Sequence, residues 1–279
     1  MCYLSCTTLN AREKIHWQII HWPPWMILEG KNKGQGFANR VLDIAEKELS
    51  EYEHIPVNMN WARFWLAVQK GQSYCNALSI KNPEREKIAY FSEPISIVLN
   101  NEIITNHSTA QLLGTPTMKS IHSLLADDRF HGGIEMKRSY GIIIDELIKG
   151  NNKNVSTYAT SASSLLYMLS HGRIDYIIEY PIVVNYFTQN NKQASSLTKI
   201  RIEEVPEVFY GYIACTKNNW GAKVISRLSQ LLKKVKPTKH YQRLLESGYT
   251  SSEDLATLRQ YYPCFINNTL EQQCTTLHK

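Results

Sequence analysis

The sequence has no long apolar run and no block of like charge. No stretch approaches the roughly 18 apolar residues that cross a bilayer. The formal charge of +6 comes from scattered Lys and Arg, and Lys233 and Lys234 are the only adjacent Lys pair. A protein that follows phosphates along a strand needs a basic stripe, which is missing here. We therefore expect no nucleic-acid partner.

Cysteine is sparse, with six residues at positions 2, 6, 75, 215, 264 and 274 and no CxxC spacing. The nine His residues also lack ligand spacing, so we expect no zinc site, no other metal and no cofactor. Cys75 and Cys215 lie in apolar segments and are most simply buried thiols. Cys264 and Cys274 could close a disulfide in an oxidising compartment. Cysteine usage therefore leaves the compartment open.

Length and composition indicate an ordinary globular chain. The 279 residues, 43% of them apolar and 20% charged, suffice for two lobes of roughly 100–150 residues each. Strand-like and helix-like segments alternate along the chain. The strand-like segments are IHWQII (15–20), IPVNM (55–59), EIIT (102–105), IDYIIEY (174–180) and FYGYIAC (209–215). This alternation predicts an α/β fold with parallel sheets.

Several helices have recognisable ends in the sequence. FANRVLDIAEKELSEY places Phe37, Val41, Ile44, Ala45 and Leu49 on one helical face. Further helices are predicted to stop at Gly71, Gly150, Gly172 and Gly248, and two of them to start at Ser139 and Ser161.

Two extended segments stand where one lobe would end and the other begin. They are SIVLNNEIITN (96–106) and EVPEVFYGYIAC (204–215). If both cross between lobes, residues 12–104 and 213–262 form the first lobe and the inserted residues 105–212 form the second. Residues 1–11 and 263–279 are then tails. The cleft between the lobes is the natural ligand site.

Five motifs in order resemble the type II periplasmic substrate-binding proteins, specifically the extracellular solute-binding family 3 that includes polar amino-acid binders. They are GQGFANRVLDIAEKEL, WARFWLAVQKG, NPEREKIAYFSEPI, LSHGRIDYIIEY and YGYIACTKNN, within residues 15 to 249. The resemblance implies a two-lobed fold with two extended hinge crossings and a ligand cleft between the lobes. It departs from the family where Asn39, Arg40 and Tyr74 replace Asp residues that the family usually carries.

The resemblance implies that Arg85, in NPEREKIAYFSEPI, holds the carboxylate of a ligand. A planar guanidinium offers two parallel donors and stays charged inside a closed cleft. The alternative is a solvated salt bridge with Glu84 or Glu86. Ser79 is also placed among the ligand-binding residues.

Two tryptophans on either side of Pro23-Pro24 stand in the loop that lines the cleft in this family. The faces of Trp22 and Trp25 can cover an aliphatic chain, a sugar ring or a cation. Core packing is the alternative for each ring. For the pair we favour the cleft.

The second lobe would contribute from GIEMKRSYG (133–141), predicted to be a strand-to-helix turn. Backbone N–H groups at a helix start near Ser139 can take an anion, and Lys137 and Arg138 add positive potential. Both cations could instead be turn charges. The resemblance implies that the position of a carboxylate that meets a ligand amino group falls near Glu179 or Tyr180. Glu179 could serve, and the alternative is that this strand-end Glu is solvated.

The sequence therefore predicts a binding protein that is not an enzyme. It captures a small, carboxylate-bearing amino acid or organic acid for ABC-type uptake, acts as a monomer and has an ABC permease or a sensor as its partner. A sensing module of the same fold is the first alternative. A dehydratase-like enzyme that uses Glu179 as its acid or base is the second.

We expect a periplasmic location, although MCYLSCTTLNAREK lacks the basic start and apolar middle of a secretory signal. A trimmed leader, or a start codon placed too far downstream, would explain this.

Overall fold

A computed structural model describes residues 12–151, 153–191 and 197–269. The strands in chain order are β1 Glu13–Ile19, β2 Tyr52–Asn58, β3 Tyr74–Ser79, β4 Ala89–Leu99, β5 Glu102–Thr105, β6 Met118–Lys119, β7 Gly132–Glu135, β8 Val155–Tyr158, β9 Tyr176–Glu179, β10 Thr198–Ile202 and β11 Val208–Thr216.

The helices are α1 Phe37–Glu48, α2 Trp61–Gln69, α3 Pro83–Glu86, α4 His107–Leu112, α5 Ile121–Leu125, α6 Ile142–Gly150, α7 Ala162–Ser170, α8 Pro181–Asn190, α9 Asn219–Val235, α10 Lys239–Glu246 and α11 Ser252–Ile266. In the part of the chain described, no helix has the length and apolar character that crossing a membrane requires.

The strands form two sheets, and both sheets are mixed. The first has the order β2-β1-β3-β11-β4, with β1 parallel to β2 and β3, and β11 antiparallel to β3 and β4. The second has the order β6-β10-β5-β9-β7-β8, with β7 parallel to β8 and β9, and β5 antiparallel to β9 and β10. The expectation of parallel sheets is therefore wrong for β5 and β11, which pair antiparallel with their neighbours. Each of these strands enters its sheet directly from the other sheet, without a helix between the two strands.

The connections between the two sheets lie side by side. Residues 100–101 join β4 to β5, and residues 203–207 join β10 to β11. The Asn100 N–H donates to Glu207 O at 3.0 Å, and its side chain donates to Pro206 O at 2.9 Å. We call the parts built on the two sheets the first and the second lobe. Their residue bounds remain a prediction.

The core of the first lobe includes the predicted face of α1 and one face of α9. On α1, Phe37, Val41 and Ala45 are buried, and α9 buries Val224, Leu228, Leu231 and Leu232 against the same sheet. Helix α11 was not predicted. It runs from Ser252 to Ile266, and its Phe265 is fully buried.

The thiol interpretation of Cys75 and Cys215 is wrong, because the two residues form a disulfide. They face each other on β3 and β11. Cys264 is also disulfide-bonded, whereas Cys274 lies outside the described residues, so their pairing stays a prediction.

Most of the predicted helix ends are confirmed. Gly71 and Gly172 follow α2 and α7 with φ of 76° and 66°, a conformation in which a Cβ would be strained. The Ser161 hydroxyl accepts from Ser164 N at the start of α7. The start predicted at Ser139 is wrong, since α6 begins at Ile142 with Gly141 as its N-cap.

Candidate functional site

The loop after β1 presents two buried tryptophans to the cleft between the lobes. Reciprocal backbone hydrogen bonds of 2.9 Å between Trp22 and Met26 close this loop around a cis Pro23-Pro24 bond. The centre of the Trp22 ring lies 5.9 Å from that of Trp61 in the first lobe and 5.7 Å from that of Tyr180 in the second. The Trp25 ring likewise contacts Tyr180, at 6.4 Å. Both tryptophans therefore pack in the core and line the cleft.

A cavity of about 30 Å³ lies between these rings. Its lining is largely apolar and consists of Trp22, Trp25, Leu78, Ser79, Ile80, Ser96, Val98, Tyr180, Phe209 and Gly211. Such a volume holds a water molecule or two. A ligand of several heavy atoms therefore needs a more open arrangement of the lobes.

The cavity wall contains buried donors without an acceptor. Among the described residues, neither Trp22 Nε1 nor Trp25 Nε1 has a hydrogen-bond partner. The Ser79 hydroxyl differs, because it donates to Asn76 Oδ1 at 2.9 Å. Leaving a buried donor unpaired is costly, so the two indole N–H groups are suited to an acceptor on a ligand.

Arg85 lies at the rim of this cleft, in α3. Asn82 caps the helix by accepting from Arg85 N at 2.9 Å. The guanidinium lies 4.3 Å from the centre of the half-buried Trp65 ring and donates to Ile80 O at 3.1 Å. Its other Nη atom is 3.5 Å from Lys137 O of the second lobe. Arg85 thus connects the two lobes through backbone carbonyls.

The salt-bridge alternative for Arg85 does not occur. Glu84 pairs with Lys87 at 2.8 Å, and Glu86 pairs with Lys81 at 3.0 Å. In the described ranges Arg85 has no ion-pair partner. Although the residue as a whole is partly exposed, desolvation of its guanidinium lowers the pKa to about 10. The group therefore remains charged at neutral pH, and its two Nη atoms contact only uncharged backbone carbonyls.

Arg138 is the second arginine of the cleft, and it is buried. Its two Nη atoms bind the Glu179 carboxylate at 2.5 and 2.6 Å, and Glu135 lies 3.9 Å away. The guanidinium lies 4.5 Å from the Trp22 ring, 4.7 Å from Tyr140 and 5.2 Å from Tyr180. The alternative of an exposed turn charge is therefore wrong for Arg138. Lys137, by contrast, is exposed.

The predicted anion site at the start of α6 is already occupied by a carboxylate of the same helix. Asp145 accepts from Tyr140 N at 2.8 Å and from the Ser139 hydroxyl. Burial raises the pKa of Asp145, while the hydrogen bond from Ser139 opposes that shift. The expectation that Ser139 and its neighbouring N–H groups are free to bind an anion is therefore wrong.

Glu135 and Tyr140 belong to the site, and the sequence reasoning missed both. Burial raises the pKa of Glu135 to about 7. Tyr140 accepts from Glu135 N at 2.8 Å through its hydroxyl. Glu135 and Glu179 end the parallel neighbours β7 and β9. The rule that ligands bind at the carboxyl ends of parallel strands could have located Glu135.

The two-sheet fold, with arginines and aromatic rings meeting between the lobes, defines a two-lobed binding protein. The chain belongs to the bacterial extracellular solute-binding proteins, family 3, whose family model matches residues 19–248. This confirms the resemblance drawn from the five motifs. No curated protein sequence matches the chain.

Solved structures share the fold at low sequence identity. One, from work on glutathione import in Gram-positive bacteria via GshT and the cystine ABC importer TcyBC of Streptococcus mutans, has a TM-score of 0.69 at 13% identity, with 88% of this chain and 100% of that chain covered. The amino acid ABC transporter substrate-binding protein AbpA from Streptococcus pneumoniae, bound to L-arginine, has a TM-score of 0.65 at 20% identity, with 85% and 94% covered. A histidine kinase sensor domain has a TM-score of 0.67 at 17% identity, with 85% and 95% covered.

Proposed function

We propose that this protein captures a small, carboxylate-bearing solute between its lobes and delivers it to an ABC-type importer. The observation that carries the proposal is Arg85, a charged guanidinium at the cleft rim that forms no ion pair in the described ranges. A ligand carboxylate would replace its weak carbonyl contacts with stronger, charge-assisted hydrogen bonds. The unpartnered indole N–H donors of Trp22 and Trp25 also favour a ligand with acceptor oxygens.

Capture requires the lobes to move. The cavity of about 30 Å³ is too small for an amino acid or organic acid of several heavy atoms. A ligand that contacts both lobes stabilises the closed form over an open one. Small-angle scattering should therefore show a smaller radius of gyration in saturating ligand if the free protein is open. An unchanged profile would argue against a hinged clamp.

The Cys75–Cys215 disulfide supports a location outside the cytosol. Disulfides persist in oxidising compartments and are rare in reducing ones. Both cysteines are fully buried. Proteins of this family are extracellular or periplasmic, and we propose the periplasm for this chain.

Ligand sensing is the second candidate function, and the similarity to a histidine kinase sensor domain favours it. The two functions require different partners. A permease encoded beside this chain would favour uptake, and a kinase or cyclase partner would favour sensing. The dehydratase alternative has less support, because Arg138 and Tyr180 N already occupy the carboxylate oxygens of Glu179.

A thermal-shift screen tests the proposal. The panel contains amino acids, organic acids, small peptides and sugars. A ligand present at 100 times its Kd adds roughly 2.7 kcal/mol to the folded state, which is readily measured. A hit among compounds with a carboxylate would support the proposal. Stabilisation by sugars alone would contradict it.

A further inference from the structure

The buried carboxylate of Glu179 is saturated by groups of the protein itself. Arg138 donates to both of its oxygens, at 2.5 and 2.6 Å. The N–H of Tyr180 adds a third hydrogen bond, at 2.8 Å. Glu179 is 1% exposed and Arg138 is 9% exposed, so the pair is shielded from water.

Arg138 lies in surroundings of the kind that proteins use to bind a cationic ligand. Aromatic faces of Trp22, Tyr140 and Tyr180 surround its guanidinium within 5.2 Å. A cation held by a carboxylate and several ring faces is strongly stabilised when water is excluded. Trp22 follows β1 in the first lobe, whereas Arg138 follows β7 in the second. The internal cation therefore spans the cleft.

Two other carboxylates near Arg138 also have partners within the protein. Asp145 accepts from Ser139 and Tyr140 N. Glu135 lies 3.9 Å from Arg138, and its pKa of about 7 leaves it partly protonated at neutral pH. A cationic group on a ligand would therefore compete with Arg138 for Glu135 and with Ser139 and Tyr140 N for Asp145.

Among the residues that line the cavity, the buried side-chain groups that lack a partner are the donors of Trp22 and Trp25. Trp22 Nε1, Trp25 Nε1 and Arg138 Nε are buried without an acceptor in the part of the chain described. Asn101 Oδ1 and Glu102 Oε2 are buried acceptors without a partner, but neither residue lines the cavity. The described residues of the cavity lining thus offer unpartnered donors for a ligand oxygen and no unpartnered buried side-chain acceptor for an ammonium group.

We propose that Arg138 is a built-in occupant that takes the place of a ligand cation at Glu179. The site consequently selects small carboxylates without an ammonium group, such as 2-oxo acids with an apolar chain, over the corresponding amino acids. The apolar wall of Leu78, Val98 and Phe209 fits such a chain. This inference rests on the proposed capture of a carboxylate and narrows it to one class of acid.

The first test uses the wild-type protein and matched pairs of ligands. Each pair is a 2-oxo acid and its amino acid: pyruvate and alanine, 4-methyl-2-oxopentanoate and leucine, phenylpyruvate and phenylalanine. Titration calorimetry should give a Kd at least about tenfold lower for the oxo acid of the pair that fits best, since the amino acid carries an unpaired ammonium into the cleft. Equal or tighter binding of the amino acid would overturn the inference and leave carboxylate capture intact.

If no carboxylate in the wider screen binds, the proposed function fails, and the second test still decides the role of Arg138. Arg138→Ala removes the internal guanidinium and leaves Glu179 and the rings in place. Millimolar methylguanidinium should then raise the melting temperature of this variant saturably, and leave wild type unchanged. If the oxo acids do bind wild type, Arg138→Ala should also lose the preference for the oxo acid over the amino acid.

Two further variants control this rescue. Arg173→Ala removes an exposed arginine of the same lobe and should not respond to methylguanidinium. Arg138→Ala combined with Glu179→Gln removes the carboxylate and should lose the response. Equal responses in all variants, or none in Arg138→Ala, would overturn the inference. If Arg138→Ala does not fold, the wild-type ligand pairs remain the deciding measurement.

Discussion

Replacement of Arg85 by alanine tests the proposed carboxylate contact most directly. The residue lies at the cleft rim and has no ion-pair partner in the described ranges. The variant breaks no ion pair among the described residues, although it removes the positive charge that acts on the Asp145 carboxylate. We therefore expect its main effect on ligand affinity, with a smaller effect on the fold.

The expected magnitudes follow from the contacts. A charge-assisted pair of hydrogen bonds to a carboxylate contributes roughly 1.5–3 kcal/mol, which corresponds to a loss of about ten- to several-hundred-fold in affinity. The ligand-free protein loses the bond to Ile80 O and the stacking on Trp65. These contacts together contribute about 1–2 kcal/mol to the free energy of unfolding.

Calorimetric titration with the best carboxylate from the screen measures the affinity, and urea unfolding measures stability separately. Arg85→Lys should recover only part of the affinity, because an ammonium cannot form the two parallel bonds of a guanidinium. Arg63→Ala is the matched control, since Arg63 is an exposed arginine on α2. Equal dissociation constants for wild type and Arg85→Ala would refute the reasoning and leave Arg85 as a connector between the lobes.

Three further predictions concern the cleft, the disulfide and pH. Trp22→Phe keeps an aromatic face but loses the unpartnered Nε1 donor, so calorimetry should show about tenfold weaker binding of the carboxylate ligand. Replacement of both Cys75 and Cys215 by alanine removes a crosslink between residues 140 positions apart, which no longer constrains the unfolded chain. Urea unfolding should therefore show a free energy of unfolding lower by about 2–5 kcal/mol. Burial raises the pKa of Glu102 from 4.5 to about 7, so the folded state binds more protons than the unfolded state between these values. Wild-type stability should therefore fall as pH rises through that window, and Glu102→Gln should remove this part of the fall.

Each of these predictions has its own control. Trp220→Phe removes an unpartnered Nε1 outside the cavity lining and should not change affinity; an equal loss in both variants would contradict the role of Trp22. The disulfide prediction fails if the double alanine variant unfolds at the wild-type urea concentration. For Glu102, the exposed Glu146→Gln is the control, and identical pH profiles of Glu102→Gln and wild type would rule out the buried carboxyl.

The sequence by itself determined most local structure and the family. Helix faces such as that of α1 are periodic in the sequence, and glycines such as Gly71 mark positions where only a residue without a Cβ adopts a positive φ freely. The five motifs identified the fold, because each is a short local segment and their order can be read directly from the sequence. Arg85 was identified by its motif, and its binding role remains a prediction.

Only the tertiary structure decided which distant groups meet. Strand β11 lies between β3 and β4, which brings Cys215 to Cys75 across 140 residues. In the same way, the parallel pairing of β7 with β9 brings Arg138 to Glu179, although their segments gave no sign of each other. Sheet order and register depend on long-range pairing and burial of both faces, which no local pattern encodes. The sequence therefore showed a charged turn at Arg138, and the fold made it a buried cation between the lobes.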